Sequence, residues 1–300
     1  MRVLVTGSKG FVGHWLIAHL EGEGDEVVGV DTEVDITGPA GLTEAVVDAE
    51  PDAICHLAAL ASVGASWGDR HATYEVNTLG TANLLDAALA CARRPRVLLI
   101  SSSEVYGRVS PSDLPLDEDR PFAPVSPYAA SKAAAEIIGL QAWLGAGLEV
   151  VRARPFNHTG PGQRPDFVVP ALAQQVAAAL RGGADRLETG NLEARRDISD
   201  VRDVVRAYRR LLVDGAAGEV YNVCRGQSVS ISHVAERLLA LAGADLPIVV
   251  DPARVRPVEI PDLRGDRRRI GAATGWQPEI ALDDTLADVL SYWQNRTTGE

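Results

Sequence analysis

Thr6-Gly7-Ser8-Lys9-Gly10-Phe11-Val12-Gly13 lies between a short apolar run, Arg2–Thr6, and a helix-periodic stretch, Phe11–Glu21. Strand, glycine-rich turn and helix in that order form the opening of a dinucleotide-binding unit. Glycine lets the backbone turn tightly and come close to a pyrophosphate. The helix behind it offers unpaired N–H groups and the positive end of its dipole. The spacing is Gly-x-x-Gly-x-x-Gly, and glycines alone would also suit a plain strand–helix turn. Asp31 shifts the balance, because it closes the next strand where an acid can hold the adenosine ribose hydroxyls. The candidate dinucleotide contacts are therefore Gly7, Gly10, Phe11, Val12, Gly13 and Asp31. An acid at this place repels a 2′-phosphate while Lys9 attracts one, which leaves a lean to NAD(H) over NADP(H).

Working outward, the first half alternates strands and helices, the pattern of a parallel sheet covered on both faces. Strands are expected at Arg2–Thr6, Glu26–Asp31, Asp52–Ala58, Arg96–Ser102 and Leu148–Arg154. Helices are expected at Phe11–Glu21, Gly41–Ala49, Ala72–Ala92 and Pro127–Leu144. The second half is less regular, with helices at Val168–Arg181, Val201–Val213, Ile231–Ala242 and Leu282–Trp293. Short strands are placed near Val220–Val223 and Ile248–Val250, and loops at Pro155–Pro165 and Pro252–Gly265. The expected fold is α/β: a Rossmann-like, doubly wound parallel sheet with a smaller C-terminal α/β substrate-binding domain. The division is placed at 1–155 and 156–300, with the chain crossing back to the sheet.

The 300 residues are 46% hydrophobic and 23% charged, ordinary for a globular protein. A net charge of −12 argues against nucleic-acid binding, which needs a basic surface to replace phosphate counterions. There is no charged segment leading into an apolar one at the start and no membrane-length apolar run, so a cytoplasmic protein with no membrane partner is expected. Cys55, Cys91 and Cys224 are scattered in apolar surroundings and read as reduced core residues. No Cys or His spacing suits a metal, and none is expected.

Pro127-Tyr128-Ala129-Ala130-Ser131-Lys132 puts a phenol and an ammonium one helical turn apart on one face. An ammonium and an oxidised nicotinamide ring would both favour the phenolate and bring its pKa toward the working range. Ser101-Ser102-Ser103-Glu104 follows a buried strand at its carboxyl end, where ligands sit in open parallel sheets. An incidental Tyr and Lys on an amphipathic helix, or serines capping a strand end, would explain either element alone. Together with the turn, in this order, they point to hydride transfer assisted by a Tyr–Lys pair.

At this point the chain resembles the extended short-chain dehydrogenase/reductases that act on nucleotide sugars. His56-Leu57-Ala58-Ala59, Asn77-Thr78 with Gly80-Thr81, Tyr128 with Lys132, and Arg154-Pro155-Phe156-Asn157 match that pattern in order. The resemblance implies that Leu57, Ala58, Ala59, Asn77, Ser101 and Pro155 line the cofactor. It also implies that Asp35-Ile36 meet the adenine, that Lys132 holds the nicotinamide ribose, and that Ser102 shares the substrate hydroxyl with Tyr128. Phe156-Asn157-His158-Thr159-Gly160-Pro161-Gly162-Gln163, Gly190-Asn191-Leu192-Glu193-Ala194-Arg195-Arg196-Asp197 and Arg256-Pro257-Val258-Glu259 resemble the GDP-mannose branch. What that implies is a diphosphate held by Arg196 and Arg256, with Asn157, Val168, Asn191 and Glu259 around the nucleotide and Ser62 and Ser103 near the sugar. For each Arg alone, a solvated surface charge would be the plainer reading.

Two features bear on the reaction. Glu104 matches the acid that removes a sugar C5 proton in the branch's 4,6-dehydratases. Against this, the passage from Asp31 to Asp35-Ile36 is short, as in sugar-nucleotide reductases, which must release the oxidised cofactor each turnover. The expectation is a reductase acting on the C4 carbonyl of a GDP-4-keto-6-deoxy-hexose. The alternatives are a GDP-mannose 4,6-dehydratase with Glu104 as base, a UDP- or dTDP-sugar 4-epimerase, and a dinucleotide sensor without chemistry. Helices Ala72–Ala92 and Pro127–Leu144 carry more apolar residues than one sheet face needs, and the resemblance implies that they pair in a homodimer.

Overall fold

Alternate residues of the first strand enter different cores, and this sets the layers. A computed structural model describes residues 1–254 and 260–296. The first half runs β1 (Arg2–Thr6), α1 (Phe11–Gly22), β2 (Glu26–Val30), α2 (Pro39–Ala49), β3 (Ala53–His56), α3 (Arg70–Tyr74), a π-helical turn (Glu75–Leu79), α4 (Gly80–Ala90), β4 (Arg96–Ile100), α5 (Pro127–Ala146) and β5 (Val150–Pro155). It continues with β6 (Asn157–Thr159), α6 (Val168–Leu180), β7 (Leu187–Thr189), β8 (Arg195–Asp200), α7 (Val201–Asp214), β9 (Val220–Val223), β10 (Ser228–Ser230), α8 (Ile231–Ala242), β11 (Ile248–Val250), β12 (Asp262–Leu263), α9 (Arg268–Thr274) and α10 (Leu282–Asn295).

The main sheet has the order β2-β1-β3-β4-β5-β9, with every neighbour parallel. Side chains of successive strand residues point to opposite faces. Val3, Val5, Cys55, Leu98 and Val151 accordingly pack with Leu16, Leu20, Val204, Tyr208, Leu211 and Ile270 of α1, α7 and α9. Leu4, Ile54, Val97, Leu99 and Val150 pack with Leu42, Val46, Leu84, Ala88 and Ala142 of α2, α4 and α5. This is the doubly wound arrangement. The strand order reverses between β1 and β3, and the crevice outside their carboxyl ends is where such sheets bind ligands.

A third core joins α6, α8 and α10 through Val169, Leu172, Val176, Val234, Leu238, Leu286 and Val289. Beside it β8 carries β10, β12 and β6, and β7 pairs with β11. Helix α5 is bounded by local chemistry. The Ser126 hydroxyl accepts from the Ala129 N–H, Pro127 opens the first turn, and Gly147 ends the helix at φ 67°.

Several expectations need correction. The helix expected over Ala72–Ala92 is interrupted by the π turn, where Asn77 bonds to Leu60 and Ser131 and the Thr81 hydroxyl takes the Asn77 carbonyl, and it ends at Ala90. The loop expected at Pro155–Pro165 contains β6, and that at Pro252–Gly265 contains β12. Strands β7, β8 and β10 and helix α9 were not expected; they are short or charge-rich, and their burial comes from neighbours distant in sequence.

One buried polar network fastens α5 to β5. Arg154 Nε and Nη2 donate to Glu136 at 3.0 and 2.7 Å, while Nη1 donates to the Tyr106 hydroxyl at 2.9 Å and the Glu118 carbonyl at 3.0 Å. Tyr106 in turn donates to Asn222 Oδ1 of β9 at 2.6 Å. Glu136 is buried; Arg154 supplies its hydrogen bonds, while Arg152 Nη1 stands at 3.5 Å as a second cation. Arg154→Met should therefore lower the unfolding free energy by about 3–5 kcal/mol. A denaturant midpoint equal to that of the unaltered protein would show that the pair carries no such weight.

Candidate active site

Gly7 stands at φ +69°, and a Cβ there would come within 2.9 Å of the Ala58 nitrogen. A Cβ on Gly13 would run into the Gly7 carbonyl oxygen. Both positions therefore admit only glycine, and the β1 turn lies flat against the β3 end, with Leu57 N donating to Thr6 O at 3.2 Å. Gly10 caps α1 without any side-chain hydrogen bond, so the first turn at Phe11 and Val12 keeps amides for an anionic ligand.

The acid beside this turn is Asp31, one residue past β2. Its Oδ2 accepts from the Lys9 backbone N–H at 2.8 Å, so it also shapes the turn. The Lys9 ammonium is held by Glu33 at 2.8 Å, a carboxylate that sequence reasoning had not weighed. That pairing offsets the charge expected to attract a 2′-phosphate. Asp35 accepts from the Thr37 N–H and hydroxyl, which hold its carboxyl below the usual range. Ile36, expected to face the adenine, is largely covered: a Cβ on Gly80 would lie 2.7 Å from its Cδ1.

Asn77 was expected beside the cofactor. Its side chain is instead committed to protein: Oδ1 accepts from Leu60 N at 2.8 Å, and Nδ2 donates to Leu60 O at 3.1 Å and Ser131 Oγ at 3.0 Å. Through these bonds it fixes the backbone of the segment after Ala59. Ser62 caps a short turn there, with Oγ accepting from Ala65 N at 3.2 Å.

At the end of β4, Ser102, Tyr128 and Lys132 converge. The Ser102 hydroxyl is hydrogen-bonded to the Tyr128 phenol and accepts from Glu104 N at 3.2 Å. Lys132 Nζ donates to the Ile100 carbonyl at 2.8 Å. Burial pushes the phenol up to about 12, the Ser102 hydrogen bond works against that rise, and the Glu104 charge adds to it. Burial also brings the Lys132 ammonium down to about 8. In the protein alone, desolvation is the largest influence on the phenol. Ser103 is buried beside them, Pro155 closes β5, and the Ser101 hydroxyl is buried with no protein partner. An orphaned donor at the strand end, glycines that leave room for a backbone-close ligand and an uncapped helix start all fit a nicotinamide dinucleotide.

Asn157 continues from β5 through Phe156, so the second half of the site begins where the first ends. Asn157, Val168, Asn191 and Arg196 line one cleft of about 240 Å³. Asn157 pairs with Ile198 in register, which puts Arg196 on the same face of β6 and β8. Arg196 Nη1 donates to the Arg195 and Ile260 carbonyls, both at 2.8 Å. Phe167, Thr189 and Arg254 also line the cleft and were missed, since nothing in their local pattern sets them apart. The His158 ring stacks on Phe11 at 6.4 Å, tying the cleft to the glycine-rich turn. Arg256 and Glu259 lie outside the described residues. Among the described residues no group of three His, Cys, Asp or Glu is placed to hold a metal, and no helix is long and apolar enough to cross a membrane.

A parallel doubly wound sheet with a glycine turn at its switch point and a Ser–Tyr–Lys cluster on the next strand end defines an extended short-chain dehydrogenase/reductase. The GDP-mannose 4,6 dehydratase family model matches residues 31–289, and the chain belongs to that family. It is 42% identical to the GDP-6-deoxy-D-mannose reductase of Pseudomonas aeruginosa, over 100% of this chain and 99% of that one. It is 31% identical to the UDP-glucose 4-epimerase of Mycolicibacterium smegmatis, over 99% and 100% of the two chains. The solved structure of RMD from Pseudomonas aeruginosa complexed with NADPH superimposes with a TM-score of 0.93 at 41% identity, covering 99% of each chain.

The Lys132 environment has a measurable consequence. Its pKa is lowered from 10.5 to about 8, so between those values the unfolded chain binds a proton that the folded chain does not. Stability due to this group then rises with pH across that window. The unfolding free energy of the unaltered protein minus that of Lys132→Met should increase by up to about 3 kcal/mol over this range. A difference that stays flat with pH would mean that the ammonium is not desolvated.

Proposed function

We propose that this protein reduces the C4 carbonyl of a GDP-4-keto-6-deoxy-hexose, giving a product of the GDP-6-deoxy-mannose (GDP-rhamnose) type. The observation that carries the reading is the buried Tyr128 phenol hydrogen-bonded to Ser102 at the end of β4, where one substrate oxygen can meet both hydroxyls. A neutral phenol is the form that donates a proton to a developing alkoxide. The full-length likeness to a GDP-6-deoxy-D-mannose reductase supports the same direction.

A bound NADH or NADPH would supply the hydride. The residues of the chain do the rest. Gly7, Gly10, Phe11, Val12 and Gly13 receive the pyrophosphate, and Asp31 the adenosine ribose. Leu57, Ala58, Ala59, Ser101 and Pro155 line the crevice, and Asp35 edges the adenine with the largely covered Ile36 behind it. Ser102 aligns the substrate oxygen with the Tyr128 hydroxyl, which hands over its proton as charge develops. Lys132, when charged, steadies the phenolate left behind. Asn157, Val168, Asn191 and Arg196 hold the nucleoside diphosphate, Arg through its planar fork, and Ser62 and Ser103 flank the sugar. The dinucleotide preference leans to NADH because Asp31 stands by the ribose and Glu33 occupies Lys9, although the relative RMD was solved with NADPH.

Glu104 favours a second reading. It occupies the place of the acid that serves as C5 base in the branch's 4,6-dehydratases, two residues after Ser102, and its charge acts on Tyr128. Incubation of the protein with GDP-mannose and no added cofactor separates the two, beside GDP-4-keto-6-deoxy-mannose with NADH or NADPH. Oxidation of the dinucleotide in the second mixture is expected, reduced more than ~100-fold by Tyr128→Phe with dinucleotide affinity nearly unchanged. Keto-sugar formation in the first mixture overturns the reductase reading.

The assembly we infer is a homodimer. Tyr74, Leu79, Ile137 and Leu144 are exposed on the α3–α4 segment and α5, which pack side by side. A solution mass of one chain would refute it. The buried free thiols Cys55, Cys91 and Cys224 suit the reducing cytoplasm. Fractionation of the protein outside the cell would contradict that placement.

A further inference from the structure

His56 ends β3, in register with Thr6 on β1, and the mechanism above makes no use of it. Its ring is buried and both nitrogens are engaged. Thr6 Oγ1 lies 2.8 Å from Nδ1, and Thr81 Oγ1 lies 3.1 Å from Nε2. The remaining partners fix the direction of each bond. Thr81 gives its single hydroxyl hydrogen to the Asn77 carbonyl at 2.7 Å, so it must accept from Nε2–H. Thr6 Oγ1 accepts from the Ala58 N–H at 3.2 Å and gives its own hydrogen to Nδ1. The ring therefore carries its proton on Nε2. Burial depresses its pKa to about 3, with the Lys132 charge acting the same way, so the neutral tautomer persists at working pH.

The bonds run one way, from Ala58 N–H through Thr6, His56 and Thr81 to the Asn77 carbonyl. From Asn77 the side chain continues to Ser131 Oγ at 3.0 Å, which donates to the Tyr128 carbonyl at 2.8 Å. One end is the backbone against which Gly7 rests. The other is the first turn of the helix that carries Tyr128 and Lys132. The π turn at Glu75–Leu79 is where the two halves meet, and such turns inside helices often mark functional positions.

We propose that His56 is a positioning residue that couples the dinucleotide turn to the catalytic helix, its rigid ring linking Thr6 to Thr81 in this chain. The idea rests on the dinucleotide reading of the turn but not on the identity of the sugar. In that arrangement a change at Thr81, whose hydroxyl reaches the turn only through His56, is felt by the dinucleotide.

The test is a double-mutant cycle of Thr6→Val and Thr81→Val, with dissociation constants for NADPH and NADH from fluorescence titration and a melting temperature for each variant. Thr81→Val should weaken dinucleotide binding about fivefold, and the double variant should bind no worse than Thr6→Val. In a His56→Phe background, Thr81→Val should add nothing. Affinity unchanged by Thr81→Val, or effects of the two substitutions that multiply, overturns the coupling even if the melting temperature falls, since that pattern is packing alone. If His56→Phe does not fold, the two threonine variants decide the matter by themselves. The binding assay needs no sugar nucleotide, so a protein that binds dinucleotide but reduces no keto-sugar sinks the proposed reaction and leaves the coupling standing. Binding of neither dinucleotide overturns both.

Discussion

Where β1 and β3 part, the Gly7 backbone rests against Leu57 and Ala58 with no room for a side chain. That contact ends β1 in a tight turn, aims the N-terminus of α1 at the crevice and leaves the space above the strand ends open. The sheet order follows from the same point, because the chain builds outward to β2 on one side and to β3, β4, β5 and β9 on the other. A ligand laid across the reversal meets α1 at one end and the β4 terminus at the other. Any side chain at Gly7 would push β3 away and close that path.

Two buried polar networks then hold the catalytic helix from different sides. Ser131 and Asn77 hold its first turns toward α4, while Glu136 and Arg154 hold it to β5 two turns after Tyr128. Buried polar groups are costly unless satisfied, so each network allows few alternative positions for α5. Between them the Ser101 hydroxyl is left without a partner among the described residues, and the Tyr128 phenol meets the Ser102 hydroxyl. Unspent hydrogen-bonding capacity thus collects at the strand end, where the substrate oxygen and the nicotinamide are proposed to meet. Arg196, by contrast, reaches the cleft with one nitrogen already tied to two carbonyls, so its guanidinium arrives in a set orientation.

Much of this was legible along the chain, because the first half signals by short-range pattern. Buried strands read as apolar runs, helices carry their caps, and the Tyr128–Lys132 spacing is one helical turn. What stayed hidden depended on partners far off in sequence. The break at Glu75–Leu79 arises from bonds between Asn77 and segments 17 and 54 residues away. Glu33, which occupies Lys9, sits in a stretch without pattern. Strand β6 forms only because β8 is there to pair with it, and Arg254 lines the cleft by virtue of a turn that begins at Pro252.

By itself the sequence determined the doubly wound sheet, the glycine turn and the candidate Ser102, Tyr128 and Lys132, since each is encoded by residue type at fixed local spacing. Tertiary structure decided the electrostatics and the commitments of those groups. It buried the phenol against Ser102, which raises its pKa, and it tied the Asn77 side chain to Leu60 and Ser131. It also brought Asn157, Val168, Asn191 and Arg196 to one cleft. Desolvation and hydrogen-bond partnership depend on what surrounds a residue in space, and a linear chain does not carry that information locally.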